Sequence, residues 1–88
     1  MRGFYELYPE FIETPFYITG ESYAGKYIPL FAQTILNYNK EQLKEPAKII
    51  IPMKGLLIGD PITAPVRQRV NMHIVANALN IVDEANME

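Results

Sequence analysis

The chain has 88 residues, eight basic and ten acidic, for a formal charge of −2, and it contains no cysteine. That length holds one small domain and no more. The near-neutral balance without a basic stripe argues against a nucleic-acid partner, no apolar run reaches the length of a membrane span, and nothing points to a disulfide framework.

The opening residues, Met1 to Glu6, lack the apolar core of a signal peptide, and Glu6 and Pro9 break any apolar run there. Taken literally, the chain is soluble and cytosolic. The absence of cysteine agrees with a reducing compartment without requiring one. There is no Asn-x-Ser/Thr acceptor, no internal repeat and no low-complexity segment.

Phe4, Leu7, Tyr8 and Phe11 recur at the spacing of one helical face, which predicts a short helix within residues 2–12 and these side chains as core. Pro9 disfavours the α conformation at Tyr8, so the regular helix should stop there. Residues 16–20 then read as a strand. Phe16, Tyr17 and Ile18 are bulky and consecutive, as expected where both sheet faces are covered in a parallel sheet.

After Gly20 the pattern changes abruptly. Gly20-Glu21-Ser22-Tyr23-Ala24-Gly25 reads as strand, sharp turn and helix, with Ser22 at the apex. A serine on such a turn presents its hydroxyl away from the backbone, as an acyl-transfer nucleophile must. The neighbours must be small where strand and helix pass close together, and Gly20, Ala24 and Gly25 meet that need. The general pattern is G-x-S-x-G, from which Ala24 departs by one methyl group. The plain alternative is a glycine-bounded turn with no chemistry.

A helix is predicted over residues 23–39, with Ala24, Tyr27, Ile28, Phe31, Ala32, Ile35, Leu36 and Tyr38 forming a wide apolar face. Pro29 removes one hydrogen bond and costs roughly 3 kcal/mol in a helix interior, which predicts a kink or break near Lys26 to Ile28. Residues 37–47 are polar and mixed in charge and read as a surface loop, with one helical turn at most. Residues 48–59 read as a strand pair or one interrupted strand. Ile49, Ile50 and Ile51 are strongly β-forming, Pro52 implies an edge or a bulge, and Gly55 to Gly59 is a buried strand. Strand, helix and strand at this spacing imply a right-handed parallel crossover, the unit of an α/β fold. Ser22 and Asp60 then both follow strand ends, on the rim where α/β sheets bind ligands. Residues 60–65 form a turn, helical periodicity returns from Val66, and Asp83 precedes a further helix that runs on at Glu88.

A serine hydroxyl attacks only when a base takes its proton. The chain offers one histidine, His73, in an amphipathic helix, and its ordinary reading is a partly exposed helix residue. Asp60 follows a different strand from Ser22 and is read as capping its turn. The backbone N–H of Tyr23, at the positive end of the helix, is the candidate donor to an oxyanion. Its ring either walls a substrate pocket or simply packs at the helix start.

Gly20-Glu21-Ser22-Tyr23-Ala24-Gly25-Lys26-Tyr27-Ile28-Pro29 resembles the nucleophile motif of the serine carboxypeptidases. The resemblance extends upstream through Phe11 and Phe16 to Ile18, and downstream over Lys54 to Pro61. It implies an α/β-hydrolase fold, removal of C-terminal residues from peptides or proteins at acidic pH, and no cofactor or metal. Ser22 would be the nucleophile and Tyr23 N–H the oxyanion donor, with Gly20 at the substrate site. Glu21 would recognise the substrate's C-terminal carboxylate, with its own proton retained through burial and a second carboxyl group. A solvent-facing turn residue is the alternative for Glu21.

The resemblance also implies a proline at the position of Pro29 and an asparagine more often than Asp60. It implies a helical cap insertion beginning within 61–88, and a triad aspartate and histidine downstream of Glu88. A glycine-rich loop would lie before Met1, and the parts of the domain missing from this chain would be needed for folding. The family is mostly vacuolar, lysosomal or secreted. The competing readings are a catalytically inactive or binding fragment and another α/β-hydrolase such as an esterase.

Overall fold

The computed structural model describes residues 1–46 and 48–86. Helix α1 spans Arg2–Leu7, Tyr8 caps it, and a 3-10 turn covers Pro9–Phe11. The helix thus ends where Pro9 requires. Strand β1 is Phe16–Glu21, helix α2 is Ala24–Gln42, and strand β2 is Met53–Gly59. Two short helices follow, α3 over Pro65–Val70 and α4 over Met72–Ala78, and a 3-10 turn over Glu84–Asn86.

Strands β1 and β2 pair in parallel, and α2 lies between them in sequence and packs on both. This is the expected strand–helix–strand crossover of an α/β fold. The pairing runs Tyr17 to Gly55 through Glu21 to Gly59, with a one-residue slip between Phe16 and Tyr17 that leaves Lys54 unmatched. The slip lies two residues past Pro52, whose carbonyl accepts the Phe16 N–H at 2.9 Å. Proline keeps its acceptor while lacking a donor, so the ladder starts on its carbonyl side.

The core lies between α2 and the sheet. Tyr5, Ile28, Ala32, Ile35 and Ile51 are buried, with Ile12, Phe16, Ile18, Tyr38, Ile49 and Met53 packed around the Tyr5–Ile35–Ile51 cluster. Burial also pushes the Tyr5 phenol pKa up. Along β1 burial alternates, with Phe16, Ile18 and Gly20 turned inward and Tyr17, Thr19 and Glu21 exposed. The predicted two-sided burial is therefore not met within these residues, because α2 covers only one face.

The predicted N-terminal core is also corrected. Phe4, Leu7, Tyr8 and Phe11 are all exposed, and the three aromatic rings cluster with one another, Phe4 lying 5.3 Å from Tyr8 and 5.8 Å from Phe11. The side chain that enters the core is Tyr5, one position off that stripe, because the face of α1 towards Ile35 and Ile51 is the neighbouring one.

Helix α2 differs from expectation at both its middle and its end. It runs unbroken through Pro29, which is exposed and lies early in a helix of 19 residues. The loss of one hydrogen bond is absorbed there, since the buried stripe Ile28, Ala32 and Ile35 anchors the turns around it. It also extends to Gln42, across part of the predicted loop. The charges of that stretch are solvated as expected, with Lys44 bridging Glu41 at 3.0 Å. Ala47, at the end of that predicted loop, lies outside the described residues.

The triple isoleucine is not a strand. Asn39, on α2, holds it instead: its amide donates to the Ile51 carbonyl and its Oδ1 accepts the Ile51 N–H, each at 2.9 Å. Those two bonds replace a neighbouring strand at Ile51 and aim the chain into β2. The predicted C-terminal helix is divided at Asn71. A Schellman arrangement ends α4, with Ile81 N–H donating to Ala76 and Asn80 N–H to Asn77, while Asn80 takes the left-handed φ of 56°. The expectation of helix at Glu88 lies outside the described residues.

Candidate active site

Strand β1 ends at Glu21 and α2 begins at Ala24, so two residues make the whole turn. Ser22 takes a φ of 55°, a left-handed conformation that costs a non-glycine residue on the order of 1–2 kcal/mol. The strain is held by three main-chain hydrogen bonds. Ser22 N–H donates to the Gly59 carbonyl at 3.0 Å, and the Ser22 carbonyl accepts from Gly25 N–H at 3.1 Å and Ile62 N–H at 2.9 Å. One bond ties the serine to the end of β2, one to the first turn of α2, and one to the segment after β2. Ser22 itself is exposed.

The glycines show why the residues here are small. A Cβ on Gly20 would lie 2.7 Å from the Ala24 Cβ and 3.1 Å from Ile28, so strand and helix do pass within contact. A Cβ on Gly25 would lie 2.6 Å from Pro61 and 2.8 Å from the Ile62 carbonyl oxygen. The close neighbour of Gly25 is therefore the segment after β2 rather than β1, a correction to the expected reason. Ala24 sits in the space that Gly20 leaves empty.

Tyr23 is the N-cap of α2, with φ −65° and ψ −13°. Its N–H precedes the intrahelical ladder and lies at the positive end of a 19-residue helix. Its half-exposed ring meets Tyr27 edge-on at 5.0 Å. Glu21 is exposed at the end of β1, paired with Gly59, which presents no side chain beside it. Gly20 lies one residue further back and is partly covered.

Asp60 follows β2 on the same rim as Ser22 and takes a φ of 28°. Among the described residues its carboxylate makes no hydrogen bond, so the expected cap of this turn is not Asp60. Gln68 does that work: its Oε1 accepts from Thr63 N–H at 3.1 Å and Ala64 N–H at 3.2 Å, and its Nε2 donates to the Pro61 carbonyl at 2.6 Å. The available signal was a glutamine four residues into a helix entered from a proline-flanked turn. His73 is exposed on α4 and makes no hydrogen bond to Ser22, in keeping with its reading as an ordinary helix residue.

A parallel strand–turn–helix with a left-handed serine on the carboxyl rim has the form of the strand–turn–helix elbow of the α/β-hydrolase fold. The family model described as serine carboxypeptidase matches residues 1–88. The chain belongs to the serine carboxypeptidase family. It is 49% identical over 65 residues to a venom serine carboxypeptidase of Apis mellifera, covering 74% of this chain and 13% of that protein. It is 39% identical over 88 residues to serine carboxypeptidase 3 of Hordeum vulgare, covering 100% of this chain and 16% of the relative. A crystal structure of a prohormone-processing carboxypeptidase from Saccharomyces cerevisiae superposes with a TM-score of 0.83 at 34% identity, over 97% of this chain and 17% of that one. The chain thus spans only a minor part of the length of the relatives it matches.

Proposed function

We propose that these residues form the nucleophile-bearing part of a serine-type carboxypeptidase that releases C-terminal residues from peptides or proteins. The observation that carries this reading is the strained, exposed Ser22, clamped to β2 and to the head of α2. Ser22 Oγ attacks the carbonyl carbon of the penultimate residue while a histidine takes its proton. Tyr23 N–H receives the oxyanion, the histidine returns the proton to the nitrogen of the C-terminal residue, which leaves as the free amino acid, and water hydrolyses the Ser22 ester. His73 is not placed to serve, so the base, its aspartate and the second oxyanion donor come from the remainder of the catalytic domain.

Glu21, the residue before the nucleophile and beside the bare Gly59, recognises the substrate's terminal carboxylate. Residues 61–88 begin the helical cap over the site. The compartment is vacuolar, lysosomal or secreted, as the venom relative's name supports for that protein.

The test uses the complete catalytic domain and a blocked dipeptide with a free C-terminus. Ser22→Ala should abolish turnover, and Glu21→Gln should raise KM while sparing a substrate whose C-terminus is amidated or esterified. Retained turnover in Ser22→Ala would sink the assignment. Equal losses on free and esterified substrates in Glu21→Gln would favour the esterase reading instead.

A further inference from the structure

The segment that clamps the nucleophile is fastened to Ser22 at both of its ends. The Gly59 carbonyl accepts the Ser22 N–H, and the Ile62 N–H donates to the Ser22 carbonyl. Asp60 and Pro61 alone join those anchors, so the peptide bond between them keeps the clamp in one piece. Gln68 steadies the far side of that bond by donating to the Pro61 carbonyl at 2.6 Å.

Asp60–Pro61 is the only Asp-Pro pair in the chain, and its setting is unusual. The Asp60 backbone takes a φ of 28°, outside the regions that L-residues favour, and the following proline crowds it further. Its side chain is exposed, and among the described residues its carboxylate makes no hydrogen bond. Pro61 has no N–H, so the nitrogen after Asp60 cannot close on the side chain to form a stable cyclic imide. The remaining intramolecular route runs the other way, with the carboxylate as nucleophile. Among the described residues, the charged and titratable groups placed around Asp60 are Glu21 at the end of β1, Tyr23 at the head of α2 and Arg69 on α3.

We propose that Asp60–Pro61 is a self-cleaving bond that opens in acid and releases the clamp on Ser22. A carboxylate oxygen of Asp60 attacks its own main-chain carbonyl carbon and closes a cyclic anhydride. The C–N bond breaks as the Pro61 nitrogen takes a proton from solvent and leaves as an amine. Water then opens the anhydride, which restores the Asp60 side chain and leaves Asp60 with a free terminal carboxyl group. The sum is one water consumed and one peptide bond broken, with nothing oxidised or reduced. Acid favours the step because the leaving nitrogen needs the proton. The gain levels off near the ordinary carboxyl pKa of about 3.9, below which the attacking group is itself protonated. Once the bond is broken, Ile62 is no longer tied to β2, Ser22 loses its fixed backbone, and turnover falls. The acidic setting and the loss of turnover rest on the carboxypeptidase reading above; the cleavage itself does not.

The test holds the complete protein at about pH 4 and about pH 7, on either side of the acid rise. Intact mass is followed under denaturing, reducing conditions, and portions are assayed on the blocked dipeptide. The expected result is a new chain beginning Pro61-Ile62-Thr63 at the acidic pH, with turnover lost in proportion. Asp60→Asn tolerates a left-handed backbone and lacks the attacking carboxylate, so it should stay whole and keep whatever turnover it starts with. Ser22→Ala should still break, because the step does not use the nucleophile. Release of strain at a left-handed residue should make the folded protein break roughly tenfold faster than the same protein in concentrated urea. An unbroken wild type, or breakage that persists in Asp60→Asn or stops in Ser22→Ala, would overturn the inference. Equal rates in the folded and unfolded protein, or a broken protein with full turnover, would overturn it too. If fresh protein never turns the dipeptide over, the carboxypeptidase reading falls, and the mass measurement still decides whether the bond cleaves itself.

Discussion

At the scale of single residues, the proposed chemistry depends on a backbone conformation that serine does not choose for itself. The φ of 55° at Ser22 persists because Gly59, Gly25 and Ile62 bond to its peptide groups on both sides. Gly25 is the weak point of that clamp, with Pro61 2.6 Å from where a Cβ would stand. Gly25→Ala must push the 61–62 segment away and lengthen the Ile62 bond, at a cost of about 1–3 kcal/mol for overpacking. We expect kcat in the complete enzyme to fall by roughly tenfold or more with a smaller change in KM, since a misplaced nucleophile impairs attack more than binding. Unchanged kcat in steady-state assays would show that the clamp does not set the geometry. Ser22, Gly20 and the helix start were legible in the sequence because small residues between a strand and a helix have few other uses. The role of Gly25 was not, because its neighbour lies 36 residues away in the chain, and a local pattern carries no such distance.

At the scale of elements, β2 is placed by α2 through a side chain rather than by pairing alone. Asn39 satisfies both main-chain groups of Ile51 before the strand begins. Asn39→Ala leaves a partly buried N–H and carbonyl without partners, which should lower the stability of the complete domain by about 1–3 kcal/mol. Chemical denaturation of the two proteins measures this, and a change within error would show that water replaces Asn39 without cost. The parallel crossover itself was readable from apolar runs and their spacing. The end of α2 was not: Asn37 to Gln42 is polar enough for a loop, and the tertiary hold of Asn39 on Ile51 overrides composition. The same hold explains why three consecutive isoleucines with high β propensity form no strand, since Ile51 is bonded to a helix side chain.

At the scale of the whole molecule, the shape is extended, 65 × 22 × 16 Å with a radius of gyration of 19.9 Å. A compact chain of this length would have a radius of about 12 Å. Helices α3 and α4 pack on each other rather than against the sheet. The sheet face opposite α2 leaves Tyr17 53% and Leu57 55% exposed. Aromatic and aliphatic residues read as core in the sequence therefore stand in solvent, which no periodicity can reveal, because periodicity marks an apolar face and not its cover. Residues 1–88 expressed alone should aggregate or show no cooperative thermal transition by calorimetry, and a single sharp transition of the soluble monomer would refute this. The central claim is that Ser22 is the nucleophile of a carboxypeptidase domain, and covalent labelling reads it most directly. The complete protein would be treated with a fluorophosphonate, digested and mapped by mass spectrometry. The account predicts one phosphonylated peptide, carrying Ser22 and absent from Ser22→Ala; a modified site elsewhere, or none in a folded and substrate-competent protein, would contradict it.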